Sequence, residues 1–390
     1  MNVPFFKPSF NEEEEKAVID VIQSGWLTTG KVTHQFEEEF AKTLGSPFAL
    51  AVNSNTSGMI LAMEACGVKK GTCVITTPYT FVSTAASAVH LGAKVLFADI
   101  QHDSFNIDPD SIEKILKSHE GKKVKAIVPV HIAGNVCDME KICYLAKKFN
   151  VKVIEDCAHS FPSLTKNGYA GTLGDCGVFS FYATKTMTTG EGGMVTCKDP
   201  EIAKRITAMR LHGMNRDAWD RYTSSKASWE YDIIGPGYKS NLPDVLSAIG
   251  IVQLKKAFEF YRQRKETAAL YNKEFSSLPF VILPPDGEGN AWHLYLLGLD
   301  LLKLNCDRNT FAKELQDMGV GISMHFIPIY NFSYWKKLSS KYNPKNFPNA
   351  QNHFLRTISI PLFPGQTKEQ AEYVIECVKK IGFKYLKQEQ

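Results

Sequence analysis

The feature that most constrains this sequence is a repeated alternation of short apolar runs with longer amphipathic segments. Residues 49–52, 73–76, 95–98, 126–130 and 151–154 each have the composition of a buried strand, rich in β-branched and apolar side chains. Helical patterns separate these runs. Strands that alternate with helices in this way favour an α/β fold with a mostly parallel, doubly wound sheet.

The length of 390 residues allows two or three domains. We expect a large α/β domain over residues 1–255 and a smaller α+β domain over residues 256–390, with the boundary inside a long helix at 248–271. The net charge of +4 gives no reason to expect binding to nucleic acid or a membrane. The nine cysteines form no CxxC pair, and no stretch reads as a signal peptide or membrane helix. A cytoplasmic protein without a metal centre is therefore predicted.

The stretch with the most chemical information is residues 153–196, where Asp156 ends one predicted strand and Lys185 follows the next. Ligands of open α/β folds bind at the carboxyl ends of such strands. A lysine that forms an imine must first lose its proton, and a carboxylate beside a pyridine nitrogen keeps that ring protonated. The pair predicts a site for a pyridine aldehyde cofactor. The plain alternative is a solvated lysine and a helix-capping aspartate.

The residues around this pair resemble the DegT/DnrJ/EryC1/StrS family of sugar aminotransferases, a branch of the fold-type I pyridoxal phosphate enzymes. The family's E-D-x-A motif appears at residues 155–158, its G-D to F-S-F to K motif at 174–185, and its E-G-G motif at 191–193. The resemblance covers nearly the whole chain and is strongest to the UDP-4-amino-4-deoxy-L-arabinose branch. It implies a seven-stranded, mostly parallel sheet between helices in the large domain.

The resemblance also implies a reaction and the biosynthetic process that this reaction serves. We expect amino transfer from L-glutamate to a keto group of a nucleotide-linked sugar, with UDP or dTDP as the nucleotide, in bacterial lipopolysaccharide or cell-surface polysaccharide synthesis. Relatives with histidine at the lysine position are sugar 3-dehydratases, so Lys185 favours transamination. Two other functions stay open: amino transfer to a keto-cyclitol, and binding of the cofactor by a regulatory protein without turnover.

By the same resemblance, four residues would surround the cofactor ring. Lys185 would hold the cofactor and move the substrate proton, and Asp156 would protonate the ring nitrogen. His159 would lie near the phenolic oxygen, and Phe81 would stack on the ring. A histidine at a sheet edge can equally be a helix-cap partner, and an aromatic residue at a helix start can equally belong to the core.

The strand–turn–helix at residues 53–58 aims backbone N–H groups at an anion, although simple helix capping explains its residues equally well. In the family this turn binds the cofactor phosphate, here through Asn55 and Thr56, and Ser180 contributes a hydroxyl. Relatives add a residue from a second subunit. The chain departs from their usual G-Y-N-x-R pattern, so either Lys239 or Asn241 would reach across a homodimer with shared sites.

Four residues are candidates for binding the substrate. Trp26 lies in a loop at 25–30 that the family places near the active site, and His325 lies in a predicted strand at 321–326. Trp219 and Arg221 lie at 214–236, in a segment that is rich in aromatic residues and lacks clear periodicity. This pattern predicts a long loop, and loops of this length often have a function. Each has an ordinary alternative: a connecting loop, a core histidine, or a loop packed on its own aromatic residues.

Overall fold

A computed structural model describes residues 1–215 and 230–388 of the chain. Two predicted substrate residues, Trp219 and Arg221, lie outside this part. The helices are α1 (Glu12–Ser24), α2 (Lys31–Leu44), α3 (Asn55–Ala65), α4 (Val82–His90), α5 (Pro109–Lys117), α6 (Met139–Phe149), α7 (Pro200–Met209), α8 (Asp244–Phe275), α9 (Arg308–Asp317), α10 (Ser333–Leu338), α11 (Pro348–Arg356) and α12 (Lys368–Tyr385). The strands are β1 (Phe48–Val52), β2 (Cys73–Thr76), β3 (Lys94–Phe97), β4 (Val124–Ile127), β5 (Lys152–Asp156), β6 (Leu164–Thr165), β7 (Gly168–Tyr169), β8 (Cys176–Ser180), β9 (Gly193–Cys197), β10 (Val281–Ile282), β11 (Tyr295–Leu299) and β12 (Thr357–Ile360).

A seven-stranded sheet in the order β1-β9-β8-β5-β4-β2-β3 forms the centre of the molecule. Strand β9 runs antiparallel to both of its neighbours, and the other strands all point the same way. This confirms the predicted α/β architecture with a mostly parallel sheet. Strands β5 and β8 are direct neighbours, with Asp156 opposite Val178. The strand ends that carry Asp156 and lead to Lys185 therefore meet at one edge, as the motif analysis requires.

Two elements differ from their predicted extents. Helix α8 spans Asp244–Phe275, which is longer than the predicted 248–271 because its amino-terminal turn begins directly after Pro243. The predicted strand at 321–326 is wrong as a regular strand. Among its residues Ser323 forms an isolated antiparallel bridge with Ser359, at the margin of the small β10-β11-β12 sheet.

The buried apolar residues form several clusters that follow the two sheets. The second half of α8 packs into a carboxyl-terminal core around β11, β12 and α12. Two segments cross the predicted boundary at 255/256: Val3 lies in this carboxyl-terminal core and pairs with Val320, whereas Tyr330 and Trp335 lie in the core of the large sheet. The division into two domains stays a prediction. Within residues 1–215 and 230–388, no helix combines the length and apolar character needed to cross a membrane.

Candidate active site

Asp156 ends β5 and is buried, with its carboxylate held by three donors. The Thr84 hydroxyl donates to Oδ2 at 2.7 Å, and the Ala158 N–H and the Asn55 amide donate to Oδ1 at 3.2 and 3.3 Å. Burial raises the pKa of Asp156, and these hydrogen bonds together with the charge of Lys185 oppose that rise. The acid therefore has one fixed orientation. Thr84 was missed by the sequence analysis.

Lys185 lies five residues after the end of β8, and its backbone N–H donates to Tyr182 O at 2.9 Å. Burial lowers the pKa of Lys185 to about 8, although the carboxylate of Asp156 acts in the opposite direction. A neutral amine is thus available at mildly alkaline pH, as a lysine that attacks an aldehyde requires. The side chain lines a cavity of about 290 Å³.

His159 lies beside this cavity and is buried. The backbone N–H of Ala133 donates to its Nδ1 at 3.3 Å, so the proton of the neutral ring is on Nε2. Its ring stacks on Phe326 with a centroid distance of 5.5 Å, and Phe326 in turn lies 6.4 Å from the ring of Phe81. Burial lowers the pKa of His159 well below its ordinary value, and the proximity of the basic groups of Lys185 and His325 acts in the same direction. His159 is therefore a neutral N–H donor.

His325 lines the same cavity as Lys185. Its Nδ1 lies 2.9 Å from the hydroxyl of Ser359, and its ring stacks on Phe5 at 5.7 Å. Burial lowers the pKa of His325 to about 4. The contact with Phe5 was not predicted, because it depends on the pairing of the amino-terminal residue Val3 with Val320.

His293 is a third histidine of this region that the sequence analysis missed. It lies just before β11, is buried, and lines the cavity with Lys185. Its ring centroid is 4.4 Å from that of His159. A histidine within the otherwise apolar and aromatic Ala291–Leu299 stretch was the available signal, since a buried polar side chain needs a partner.

The segment that leads from β1 into the start of α3 contains the two residues that are predicted to bind the cofactor phosphate, Asn55 and Thr56. The side chain of Asn55 points inward, where its amide donates to Asp156 and to Val178 O, the latter at 2.9 Å. Asn55 and Thr56 occupy the first turn of α3, whose backbone N–H groups have no acceptor within the helix. The helix start can therefore offer backbone donors to an anion, whereas the Asn55 amide is already engaged.

Gly193 lets the start of α3 approach the sheet. A Cβ atom at this position would lie only 2.8 Å from the backbone nitrogen of Asn55. Gly193 stands opposite Ser180 on one side and Val52 on the other in the strand register. The last glycine of the E-G-G motif thus brings the half-buried Ser180 and the first turn of α3 to the same edge of the sheet.

Lys239, Asn241 and Trp26 are joined through Thr29. Lys239 Nζ donates to Asn241 Oδ1 at 2.6 Å, and Asn241 Nδ2 donates to the Thr29 hydroxyl at 2.7 Å. The indole of Trp26 donates to Thr29 O at 3.2 Å. The backbone of this segment also pairs with the end of β1, through Val52 and Asn241. The predicted cross-subunit residues and the predicted substrate loop therefore form one surface.

Asp244 holds this loop and was not predicted. Its Oδ1 accepts hydrogen bonds from Gly30 N at 2.8 Å, Thr33 N at 2.9 Å and the Thr33 hydroxyl at 2.6 Å. A Cβ at Gly30 would lie 2.2 Å from Trp26 Nε1, so any larger residue here would displace the indole from its present position. One carboxylate thus fixes the loop and the start of α2.

The family is shown by comparison with known proteins. The profile of the DegT/DnrJ/EryC1/StrS aminotransferase family matches residues 8–379. The chain belongs to this family. It is 41% identical over 382 residues to the spore coat polysaccharide biosynthesis protein SpsC of Bacillus subtilis (strain 168), with 97% of each chain covered. This confirms the family predicted from the motifs.

Solved structures agree with this assignment. Spr1654 of Streptococcus pneumoniae, assigned as a sugar aminotransferase and solved in PMP and PLP forms, superposes on the chain with a TM-score of 0.90. For the PMP form the identity is 30%, and 98% of this chain and 100% of that chain are covered. Helicobacter pylori PseC, an aminotransferase of pseudoaminic acid biosynthesis, gives a TM-score of 0.90 at 29% identity, with 99% and 100% covered. The fold is fold-type I, the protein is a sugar aminotransferase, and its cofactor is pyridoxal 5′-phosphate.

The described residues fit this cofactor. Lys185 offers an amine with a lowered pKa, and Asp156 offers a buried carboxylate on the neighbouring strand. The approach of β9 to the start of α3, which a Cβ at Gly193 would block, leaves helix N–H groups for a phosphate at the same edge. When bound, pyridoxal phosphate supplies an electron sink through its pyridine ring.

Proposed function

We propose that the protein transfers the amino group of L-glutamate to a keto group of a nucleotide-linked sugar, with UDP or dTDP as the nucleotide. Its product would enter bacterial lipopolysaccharide or cell-surface polysaccharide synthesis. The observation that carries this proposal is the pairing of Lys185, whose pKa is lowered to about 8, with the buried Asp156 on the next strand. The similarity to SpsC and PseC supports a polysaccharide or glycan context.

In this proposal Lys185 would hold the cofactor, and its amine would then move the proton taken from the donor. The carboxylate of Asp156 would keep the proton on the ring nitrogen, in the orientation that its three donors define. His159 would donate a hydrogen bond from Nε2 to the phenolic oxygen. Phe81, 59% exposed at the start of α4, offers its ring for stacking.

The phosphate would bind at the first turn of α3, through the backbone of Asn55 and the backbone and hydroxyl of Thr56, with Ser180 beside them. Lys239 or Asn241 of a second copy would complete the site in a cytoplasmic homodimer. The pairing of Lys239 with Asn241 at 2.6 Å supports a joint contribution, in which Asn241 orients the ammonium group. Trp26 and His325 would contact the sugar, as would Trp219 and Arg221.

The test is a comparison of purified wild-type protein with Lys185→Ala and with the exposed-lysine control Lys198→Ala. We expect wild type and the control to show the visible absorption of bound cofactor and to lose it when L-glutamate is added. Lys185→Ala should lack this band. An unchanged band in Lys185→Ala would remove Lys185 from its role, and a wild-type band that glutamate leaves unchanged would favour a regulatory protein.

The acceptor is tested separately with UDP-, dTDP- and GDP-linked keto-sugars. Turnover with a nucleotide-linked sugar and inhibition by free UDP or dTDP are expected. Turnover of a keto-cyclitol without inhibition by nucleotide would favour the alternative acceptor. For shared sites, mixing Lys185→Ala with a Lys239→Ala, Asn241→Ala double variant should restore part of the activity, because one site of the mixed dimer is then intact. No gain on mixing would contradict the cross-subunit contact.

A further inference from the structure

His293 has an unusual position in the cavity wall. Its Nδ1 is buried and has no hydrogen-bond partner within the described part of the chain. The backbone of His293 is nevertheless firmly placed, because its N–H donates to Ala133 O at 2.9 Å. Ala133 also donates to Nδ1 of His159, so one residue positions both rings beside Lys185. A buried polar atom without a partner is uncommon and suggests that a bound group satisfies it.

Arg264 lies behind His293 and lacks a counter-charge. Its guanidinium is buried and donates through one nitrogen to His293 O at 3.0 Å and Leu362 O at 2.7 Å. Its Nε has no partner, and no carboxylate in residues 1–215 and 230–388 forms an ion pair with it. A buried cation that is compensated only by carbonyl dipoles favours an anion nearby. Arg264 and Lys185 also line one narrow cleft.

Burial lowers the pKa of His293 well below its ordinary value, and the neighbouring titratable groups, His159, Lys185, Arg264 and His325, act in the same direction. None of these neighbours is an acid. The imidazole of His293 is therefore neutral in the free cavity, and a negative group placed beside it would be attracted by the guanidinium of Arg264 and by the protonated form of Lys185. The cavity of about 290 Å³ is of the size of a small metabolite, below the usual range for drug-sized ligands.

We propose that the His293 side of the cavity binds a carboxylate of the amino-donor substrate, with His293 donating a hydrogen bond and Arg264 supplying positive charge behind it. This inference rests on the proposed aminotransferase function. A carboxylate fits better than the diphosphate of a nucleotide-sugar, because the anion would lie within reach of Lys185, where the donor's amino group must react. The Arg264 guanidinium donates to the backbone carbonyl of His293, so its positive charge lies next to the residue that would hold the carboxylate.

The experiment measures glutarate, a donor analogue without an amine, binding to the holoenzyme by calorimetry. His293→Leu should weaken glutarate binding roughly 10- to 100-fold, as expected for loss of a hydrogen bond to a charged group. His293→Asn, whose amide occupies the position of Nδ1, should retain most of the affinity. His353→Asn is the matched control: this buried histidine bonds to His102 O and packs on Phe105, away from the cavity, and its variant should bind like wild type.

A second measurement follows the loss of the cofactor band with amino donors that lack one carboxylate. If His293 holds the α-carboxylate, His293→Leu should slow the reactions of L-glutamate and L-2-aminobutyrate and leave that of 4-aminobutyrate unchanged. If His293 holds the side-chain carboxylate, the reactions of L-glutamate and 4-aminobutyrate should slow and that of L-2-aminobutyrate should be unchanged.

A glutarate affinity of His293→Leu equal to that of wild type would overturn the inference. Weakened UDP binding with unchanged glutarate binding would also overturn it. A wild-type holoenzyme that never reacts with glutamate would instead contradict the proposed function. Should His293→Leu fail to fold, the same glutarate titration is made with Arg264→Gln, which removes the positive charge. Weaker binding than in wild type is expected, and equal affinity would overturn the inference.

Discussion

Thr84→Val removes the hydroxyl closest to Asp156 while keeping the shape of the side chain. The Thr84 hydroxyl donates to the buried carboxylate at 2.7 Å, and it is the largest of the effects that lower the pKa of Asp156 against its burial. A hydrogen bond to a charged group contributes about 1.5–3 kcal/mol. If this interaction stabilises the ionised acid during the reaction, its loss corresponds to a roughly 10- to 150-fold decrease in rate. The pKa of Asp156 should rise further, so the acidic limb of the pH–rate profile should move to higher pH.

The assay is the single-turnover reaction of the holoenzyme with L-glutamate, followed through the cofactor band between pH 5 and pH 9. Thr84→Ser keeps the hydroxyl and should stay within a few-fold of wild type at every pH, whereas Thr84→Val should be slowest at the acidic end. Thermal unfolding of both variants separates a general loss of stability from the specific effect. Equal rates and equal pH profiles for the Val and Ser variants would refute the assigned role of this hydrogen bond.

Two further predictions concern Lys185 and the phosphate site. Because burial lowers the pKa of Lys185 to about 8, the rate of cofactor uptake by the apoenzyme should rise with pH and level off above about pH 8. In Asp156→Asn the midpoint of this pH dependence should move to lower pH, since the carboxylate of Asp156 favours the ammonium form of Lys185. A midpoint near pH 10, where an ordinary lysine titrates, would contradict the assigned environment. Gly193→Ala places a Cβ 2.8 Å from Asn55 N, and we expect weaker binding of both pyridoxal phosphate and inorganic phosphate in titrations. Gly235→Ala is the control, because a Cβ there would meet only side-chain atoms, at 3.3 Å or more. Unchanged phosphate affinity in Gly193→Ala would show that the start of α3 does not bind the anion.

The parts of this site that could be predicted from the sequence are those carried by strand ends. Residues 151–154 and 177–182 are short apolar runs, and a parallel sheet brings their carboxyl ends together, so Asp156 and Lys185 were recognisable as a pair. The family resemblance then assigned them chemical roles. Neither step required knowledge of distant contacts, because each depends on a local pattern and on the direction of a strand.

The residues that were missed all act through long-range contacts. Thr84 reaches Asp156 across 72 positions, and Asp244 reaches Gly30 across 214. Threonine in a helix and aspartate at a helix start have ordinary local explanations, so nothing in their neighbourhood indicates such a partner. Asn55 also depends on a long-range contact. Its role at the phosphate stays a prediction, and the direction of its amide is set by Val178 O in β8, which no local pattern indicates.

The E-D motif itself illustrates why two adjacent acids have different tasks. Successive side chains of a strand point to opposite faces, so Glu155 lies on the side of β5 away from Asp156. There its carboxylate accepts hydrogen bonds from the backbone of Gly171, Leu173 and Gly174 at 2.7–2.9 Å, and His131 Nε2 lies 2.9 Å from it.

These contacts also account for a possible cluster of metal ligands. His131, Glu155 and Cys157 lie close enough together to suggest an ion. The oxygens of Glu155 already face four nitrogen donors, however, so the carboxylate has a complete set of partners within the protein. The turn at residues 171–174, whose backbone N–H groups donate to Glu155, leads directly into β8. The carboxyl-terminal end of β8 continues to Lys185. One dipeptide therefore supplies the acid of the site through Asp156 and, through Glu155, fixes the strand that positions the lysine opposite it.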